Sequence, residues 1–174
     1  MQDFVHLHVH TQYSILDGQA SIPALVDKAI KDGMRGMAIT DHGNMMGIKE
    51  FFNYTQKVKG KAKGALKSAE EKLIALQNGS YVPVSDKNGN NPDVGKTTEQ
   101  LIEETQKVIA KQIKIVNFTP IFGCEMYVAR RGNKSLHEGK IDQSGWHLIV
   151  LAKNEKGYHN LIKLVSRSWV DGFY

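Results

Sequence analysis

The sequence predicts an α/β fold in which parallel strands are covered by helices, and three observations support this prediction. Residues 4–10 alternate between apolar and histidine side chains, as a strand with one polar face would. Residues 36–40 form a short apolar run typical of a buried strand, and segments with helical periodicity follow each of the two strands. Because crossover helices connect parallel strands, this order indicates either an open sheet or a barrel.

The first helix has clear start and stop signals. Ser21 is placed to cap its amino terminus, Pro23 suits its first turn, and the apolar stripe ends before Gly33. A second helix is predicted over residues 48–58, directly after the turn at residues 41–44.

The alternating pattern breaks at residue 59, and we interpret residues of about 59–115 as a mainly helical insertion. Residues 62–77 are amphipathic, residues 78–96 are rich in Gly, Asn, Asp and Pro, and Thr97 opens a helix that extends toward Gln112. The strand series resumes at residues 118–128 and continues with a buried strand at 147–152. A final helix is predicted over residues 156–168, with its apolar side chains Leu161, Ile162, Leu164 and Val165 facing inward.

Composition excludes several classes of protein. The chain has 174 residues, of which 41% are hydrophobic and 24% charged, which is typical of a globular domain and not of a disordered chain. It contains neither a membrane-length apolar segment nor a secretory signal, so a cytoplasmic location and no membrane partner are predicted. The single cysteine, Cys124, excludes an internal disulfide and a multi-cysteine zinc module. A metal site would therefore use the seven histidines and carboxylates.

The net charge of +5 comes mainly from one region. Residues 54–115 contain 11 Lys and Arg residues against 7 Asp and Glu residues, whereas the rest of the chain is nearly balanced. Such a region can be a nucleic-acid surface, but lysines mixed with glutamates on a helix also form ordinary solvated faces. Both interpretations stay open at the level of sequence.

Polar residues at the ends of the first two predicted strands are candidate metal ligands. His8 and His10 share a strand face, and Asp41 and His42 end the next strand. Asp17, in the following loop, could return with a carboxylate oxygen. Nitrogen and oxygen donors without sulfur suit Zn, Mn or Fe. The alternative is that these histidines are hydrogen-bonded partners of backbone or carboxylate groups.

Glu125 lies within an apolar predicted strand, where an ionised carboxylate is costly unless it is paired or binds a cation. Its alternative role is a salt bridge to Arg130 or Arg131. Cys124 is expected to be a small core residue whose side chain points away from that of Glu125.

The remaining histidines differ in context. His147 opens an apolar strand and could be either a ligand or a core histidine bonded to a carbonyl. His137 lies in a Gly- and Lys-rich segment and His159 at a polar helix position, so both are predicted to be surface residues.

Several short motifs carry a resemblance to a known family. HLHVHT at residues 6–11, SILDG at 14–18, ITDHGN at 39–44 and GCE at 123–125 resemble successive motifs of the polymerase and histidinol phosphatase (PHP) superfamily. HLIVLAKN at residues 147–154, with the segment that follows it, narrows the resemblance to the amino-terminal PHP domains of bacterial DNA polymerase III alpha subunits. The insertion is not matched.

The resemblance implies a distorted seven-stranded (β/α) PHP barrel whose mouth holds up to three divalent cations for phosphoester hydrolysis. Zn or Mn is the expected metal, with Mg and Fe as alternatives, and His6 is expected to lie outside the ligand set. The chain stops before the later ligands of the family, so residues 1–174 are expected to form the amino-terminal part of a PHP domain, with the barrel incomplete. The implied metal ligands are His8, His10, Asp17, His42, Glu125 and His147.

The resemblance also implies a biological setting. The parent protein would be a DNA-directed DNA polymerase acting in DNA replication, with nucleotidyl transfer located outside these residues. Its partners would be DNA, the remaining polymerase domains, and exonuclease and other replisome subunits. Three roles for the domain stay open: a metal-dependent 3′–5′ proofreading exonuclease, a non-catalytic module that docks an exonuclease subunit, and a stand-alone phosphoesterase acting on small phosphate monoesters.

Overall fold

The computed structural model describes residues 4–85, 89, 91–132, 136, 138–142 and 145–172, which together form four α-helices and three strands. The chain divides into two compact units, one comprising Met1–Gln56 with Phe118–Tyr174 and the other Lys57–Asn117. In chain order the elements are α1 (Ile22–Lys31), β1 (Gly36–Ile39), α2 (Ile48–Gln77), α3 (Thr98–Val116), β2 (Thr119–Val128), β3 (Trp146–Leu151) and α4 (Glu155–Gly172).

The three strands form a mixed sheet in the order β1-β2-β3. β1 and β2 are parallel, with Gly36 opposite Thr119, as the sequence predicts. β2 and β3 are antiparallel, with Gly123 opposite Leu151, so the parallel arrangement predicted from the start of the chain does not extend to β3. The only regular element in the described part of the β2–β3 connection is the short 3-10 turn Gly139–Ile141, and the antiparallel pairing is that of a hairpin.

Residues 4–10 do not form the predicted strand. The amide of Ala38 donates to the carbonyl of His6 and that of Thr40 to the carbonyl of Val9, both at 2.8 Å. These two acceptors are three residues apart whereas the donors are two apart, so a regular ladder cannot continue between them. The apolar face predicted for this segment is also incompletely buried, since Leu7 is 48% exposed.

The helix α1 follows its sequence signals closely. The Ser21 hydroxyl accepts a hydrogen bond from the amide of Ala24, and a proline occupies the first turn. Val26 and Ala29 are buried on its inner face. The core of this unit packs around α1, β1, the start of α2 and the residue before β2; its buried members are Ile22, Val26, Ala29, Met37, Ile39, Ile48, Phe51 and Phe118.

The helix α2 is continuous over 30 residues, so the predicted break near residue 59 is wrong. Gly60 destabilises a helix by only about 1 kcal/mol relative to alanine, and its helix-forming neighbours offset this cost. The helix α3 begins with the predicted capping box, in which Thr97 and Gln100 each bond to the other's backbone, and it extends past Gln112 to Val116. The unit Lys57–Asn117 covers the segment that the sequence predicts as an insertion.

The carboxyl-terminal elements are less buried than their apolar sequences indicate. Leu161 of α4 is buried, but Ile162 and Leu164 are 37% and 51% exposed, so the prediction that both face inward is wrong. The first half of β3 is likewise exposed and not buried. An apolar run predicts a strand but does not show which of its faces another element covers. Within the described residues, no helix is long and apolar enough to span a bilayer.

Candidate metal centre

The carboxylate of Glu125 lies at the centre of a group of histidines on the first unit. Glu125 is in the middle of β2, and only 5% of the residue is exposed. Four imidazoles surround its two oxygens, at 2.7 Å for Nδ1 of His147, 2.9 Å for Nε2 of His10, 3.3 Å for Nδ1 of His42 and 3.6 Å for Nε2 of His8. The four imidazoles come from three separate stretches of chain.

Backbone pairing beyond the end of β1 brings His42 to this position. The amide of Glu125 donates to the carbonyl of Asp41 at 3.1 Å, and the amide of Gly43 donates to the carbonyl of Glu125 at 2.8 Å. Cys124 is fully buried, and its thiol donates to the carbonyl of Asp41. Gly123 is required for this close packing, since a Cβ there would lie 2.7 Å from the carbonyl oxygen of Val150.

The side chain of Asp41 organises the loop that carries Asp17. Its carboxylate, in a residue only 2% exposed, accepts hydrogen bonds at 2.7 Å from both the amide of Thr11 and the hydroxyl of Ser14. The hydroxyl of Ser14 in turn accepts from the amide of His42 at 3.0 Å. Asp41 is thus a structural residue that fixes the loop, although its place at a strand end made it a candidate for chemistry.

The same loop makes a tight turn around Asp17. A Cβ at Gly18 would lie 2.2 Å from the carbonyl oxygen of Thr11, so only glycine fits there. Leu16 has a φ of 77°, the one positive value among the described non-glycine residues, and its side chain is fully exposed. This turn places a carboxylate oxygen of Asp17 at 3.1 Å from Nδ1 of His42.

Among the described residues, two groups of donor atoms are close enough to hold metal ions. His8, His10 and Glu125 form one group, and His10, Asp17 and His42 form the other, with the donor atoms of each group within 4.8 Å of one another. The Nε2 atoms of His8 and His10 are 3.0 Å apart. Nδ1 of His10 is the one buried side-chain polar atom without a hydrogen-bond partner among the described residues. The donor set therefore suits a cation that binds nitrogen and oxygen.

The electrostatics of the site favour an ionised carboxylate. Burial alone would raise the pKa of Glu125, but the hydrogen bond with His147 and the charges of His10, His147 and His8 lower this pKa below its ordinary value. Burial raises the pKa of the Tyr127 phenol, with smaller contributions from nearby carboxylates. Burial also raises the pKa of the Cys124 thiol, to about 11, so this thiol is not an anionic ligand at neutral pH.

Tyr127 belongs to the site, although it is absent from the predicted ligands. Its hydroxyl is hydrogen-bonded to Nε2 of His42, and its ring packs edge-on against His147 with centroids 4.6 Å apart. The sequence contained a signal for this position, because residues two apart on a strand share a face and Tyr127 is two residues beyond Glu125.

Comparison with known proteins assigns the family. The PHP domain family matches residues 6–174. The chain belongs to the PHP domain family. PHP domains generally bind metals, and the histidine and carboxylate groups described above are of the kind that could hold them.

Several curated relatives of the chain carry the name DNA polymerase III subunit alpha. Those of Borreliella burgdorferi and Treponema pallidum are 30% and 32% identical to the chain over 171 residues, which is 98% of its length. That of Aquifex aeolicus is 28% identical over 178 residues. The chain spans about a tenth of the length of these relatives.

The structure brings all six predicted ligands of the PHP domain into one neighbourhood: His8, His10, Asp17, His42, Glu125 and His147. The ring of His6 instead packs against Phe4, with centroids 4.7 Å apart. His159 is an exposed helix residue 3.8 Å from Glu155, and His137 lies outside the described residues.

The arginines considered as partners of Glu125 are engaged elsewhere. Arg131 forms ion pairs with Asp142 and Glu138, and the guanidinium of Arg130 lies 4.7 Å from the ring centroid of Trp146. The partners of the Glu125 carboxylate are the histidines.

Proposed function

We propose that this chain is a metal-binding, phosphoester-hydrolysing part of a PHP domain in a replicative DNA polymerase alpha subunit. The observation that carries this proposal is the carboxylate of Glu125, buried among four imidazoles. The proposed ligands are His8, His10, Asp17, His42, Glu125 and His147.

The donor chemistry supports a metal role over a purely structural one. A histidine that only stabilises a fold needs one hydrogen-bond partner, whereas here several ring nitrogens point at the same small volume, and His8 and His10 face each other through Nε2. A domain that had lost its metals would be free to replace such residues. All six positions hold side chains that can bind Zn or Mn.

The bound cations would supply a nucleophilic water of lowered pKa and neutralise charge that develops on the phosphoryl oxygens. The residues of the chain hold the arrangement together. Glu125 aligns the rings of His10 and His147 from one side, Asp41 fixes the loop that carries Asp17, and Tyr127 bonds the outer nitrogen of His42.

The substrate we propose is a phosphodiester at a DNA 3′ end, which would make the activity a 3′–5′ proofreading exonuclease. The relatives support this choice through their name, DNA polymerase III subunit alpha. Nucleotidyl transfer would be located in other parts of such a polymerase. DNA and the remaining polymerase domains would be the partners of this chain.

Metal content tests the site directly. The 174-residue chain, stripped with chelator, resupplied with Zn or Mn and desalted, should retain at least one equivalent by elemental analysis. Glu125→Gln should lower this content, because it removes a ligand charge at the centre of the site. Glu155→Gln, which neutralises an exposed carboxylate at the start of α4, should not change it. Equal metal content in both variants would remove Glu125 from the site, and no metal in the unchanged chain would favour a docking module.

Substrate class requires a second assay on the metal-loaded chain. Release of single nucleotides from a 3′-labelled DNA strand would support the exonuclease. Cleavage of p-nitrophenyl phosphate without release of nucleotides would instead favour a phosphatase of small monoesters. In either case the activity should be lost in Glu125→Gln and retained in Glu155→Gln.

A further inference from the structure

A run of lysines without acidic residues lies on the second compact unit, which contains none of the proposed metal ligands. Residues 57–67 include five lysines and no Asp or Glu. They belong to the middle of α2, and the run is helical throughout. Four of the lysines are exposed, namely Lys57, Lys61, Lys63 and Lys67.

Helix geometry places these four lysines on a single face. At about 100° per residue, Lys57 and Lys67 lie about 40° to either side of a line through Gly60 and Gly64, and Lys61 and Lys63 lie about 80° to either side. Ala62 and Ala69 are buried on the opposite side of the helix. The lysines therefore form two rows on the solvent side, over about 15 Å of helix axis.

The two glycines between the rows leave the helix surface open. A Cβ at Gly60 or Gly64 would meet no atom within 4 Å, so neither glycine is required by packing. Each costs helix stability of about 1 kcal/mol relative to alanine. The result is a shallow strip of backbone bordered by positive charge, where a phosphate chain could approach closely.

Charge on this face is also less neutralised than at three other lysines of the same unit. Lys72, Lys96 and Lys107 lie within 2.7 Å of the carboxylates of Asp93, Glu104 and Glu103. On the lysine face, only the last member, Lys67, is near an acidic group, with Glu71 at 3.9 Å, among the described residues.

We propose that the face formed by Lys57, Lys61, Lys63 and Lys67, with Gly60 and Gly64 between them, binds the phosphate backbone of DNA. Paired rows of exposed ammonium groups match a polyanion with regularly spaced charges, and contacts to phosphates carry no sequence information, so binding through this face is independent of sequence. The choice of DNA among polyanions rests on the proposed function, whereas the positive face itself does not.

The test compares two variants with the same loss of charge. The face variant combines Lys57→Gln, Lys61→Gln, Lys63→Gln and Lys67→Gln. The control variant combines Lys31→Gln, Lys107→Gln, Lys111→Gln and Lys114→Gln. All eight lysines are exposed, and each set contains one lysine with an ion pair to a residue four positions away, Lys67 with Glu71 and Lys107 with Glu103. Circular dichroism confirms that both variants fold.

Binding of a fluorescein-labelled single strand of mixed sequence is followed by anisotropy between about 50 and 200 mM salt. If about three lysines contact phosphates, the slope of log K against log salt should be about 2 smaller in the face variant than in the unchanged chain. The ratio of the DNA affinity of the unchanged chain to that of the face variant should then fall by roughly tenfold to twentyfold across this salt range. The control variant should keep most of the slope.

Equal losses in the two variants, or no DNA binding by the unchanged chain at the lowest salt, would overturn the proposal. Displacement of the DNA by polyglutamate as effectively as by unlabelled DNA, at equal charge, would overturn the assignment to nucleic acid. Metal content of the same samples separates this test from the proposed function, because the face variant should retain the metal content of the unchanged chain.

Discussion

The hydroxyl of Tyr127 is hydrogen-bonded to Nε2 of His42, while Nδ1 of the same imidazole faces Asp17 at 3.1 Å and Glu125 at 3.3 Å. The two nitrogens of His42 thus have different environments, one phenolic and one anionic. A partner on the outer nitrogen determines ring orientation and tautomer, which in metal sites tunes the inner nitrogen as a ligand. Tyr127 is therefore a positioning residue for His42.

Replacing Tyr127 by phenylalanine should weaken metal binding by roughly 10- to 100-fold, as is usual when the hydrogen-bond partner of a ligand is removed. Competition with a chromophoric chelator measures this affinity. Tyr54→Phe removes a phenol that donates to Asp27 outside the site and should have no effect. The ¹⁵N shifts of the His42 ring in the metal-free chain provide a second readout, and an unchanged tautomer in Tyr127→Phe would exclude the positioning role.

Asp41→Asn should destabilise the chain by about 2 to 4 kcal/mol. The buried carboxylate accepts hydrogen bonds from the amide and hydroxyl of Thr11 and from Ser14, and hydrogen bonds to charged groups contribute about 1.5 to 3 kcal/mol each. Urea unfolding followed by circular dichroism gives the change. Asp32→Asn, at the partly exposed C-cap of α1, is the control and should cost less than about 1 kcal/mol. Similar losses of unfolding free energy in the two variants would mean that the hydrogen bonds of Asp41 contribute little to stability.

Local patterns in the sequence predict individual elements well, because the groups that determine them are near in sequence. Ser21 and Thr97 cap helices where expected, and the apolar run at β1 is buried. The pairing of strands is less predictable from sequence, because it depends on the segment that connects two strands. The hairpin of β2 and β3, and the slipped contact of residues 4–10 with β1, have no signature in either segment alone.

In the site too, the residue types can be predicted from sequence, whereas the contacts between side chains cannot. The motif resemblance predicts a set of six residues, and the structure places them together around Glu125 and His42. Position at a strand end, without the motif resemblance, does not distinguish Asp41, whose carboxylate turns into the loop, from its neighbour His42, whose ring faces the site. The place of Tyr127 two residues beyond Glu125 indicates a shared strand face, but this spacing does not show that its phenol bonds the outer nitrogen of His42, a predicted ligand.

Asp93 should make the unfolding free energy of the second unit depend on pH in the acid range. Hydrogen bonds from Lys72 and Tyr81 lower the pKa of its carboxyl below the ordinary value. A lowered folded-state pKa adds stability that is fully present above the unfolded-state pKa of about 4 and is lost as pH falls through the folded-state pKa. The difference in unfolding free energy between the unchanged chain and Asp93→Asn should therefore shrink from about pH 6 to about pH 3. A difference that stays constant over this range would contradict the assigned contacts.

Cys124 should be inert in the folded chain. Its side chain is fully buried, and burial raises the pKa of the thiol to about 11, so the reactive thiolate is scarce at neutral pH. Dithionitrobenzoate should react slowly with the native protein and rapidly in denaturant, with Cys124→Ala as the blank. Stoichiometric reaction of the native chain on mixing would show that this strand opens readily.

Gly60→Ala and Gly64→Ala should each stabilise the chain by about 0.5 to 1 kcal/mol, because alanine has the higher helix propensity and the added methyl group meets no atom within 4 Å. Gly33→Ala is the matched control. It also has open space around the new Cβ, but its φ of 79° is strained for alanine, so this variant should be less stable by about 1 kcal/mol. Chemical denaturation of the three variants measures the changes in unfolding free energy, which should have opposite signs. Destabilisation by Gly60→Ala would mean that α2 is not a regular helix at this position, and the two rows of lysines would then not share one face.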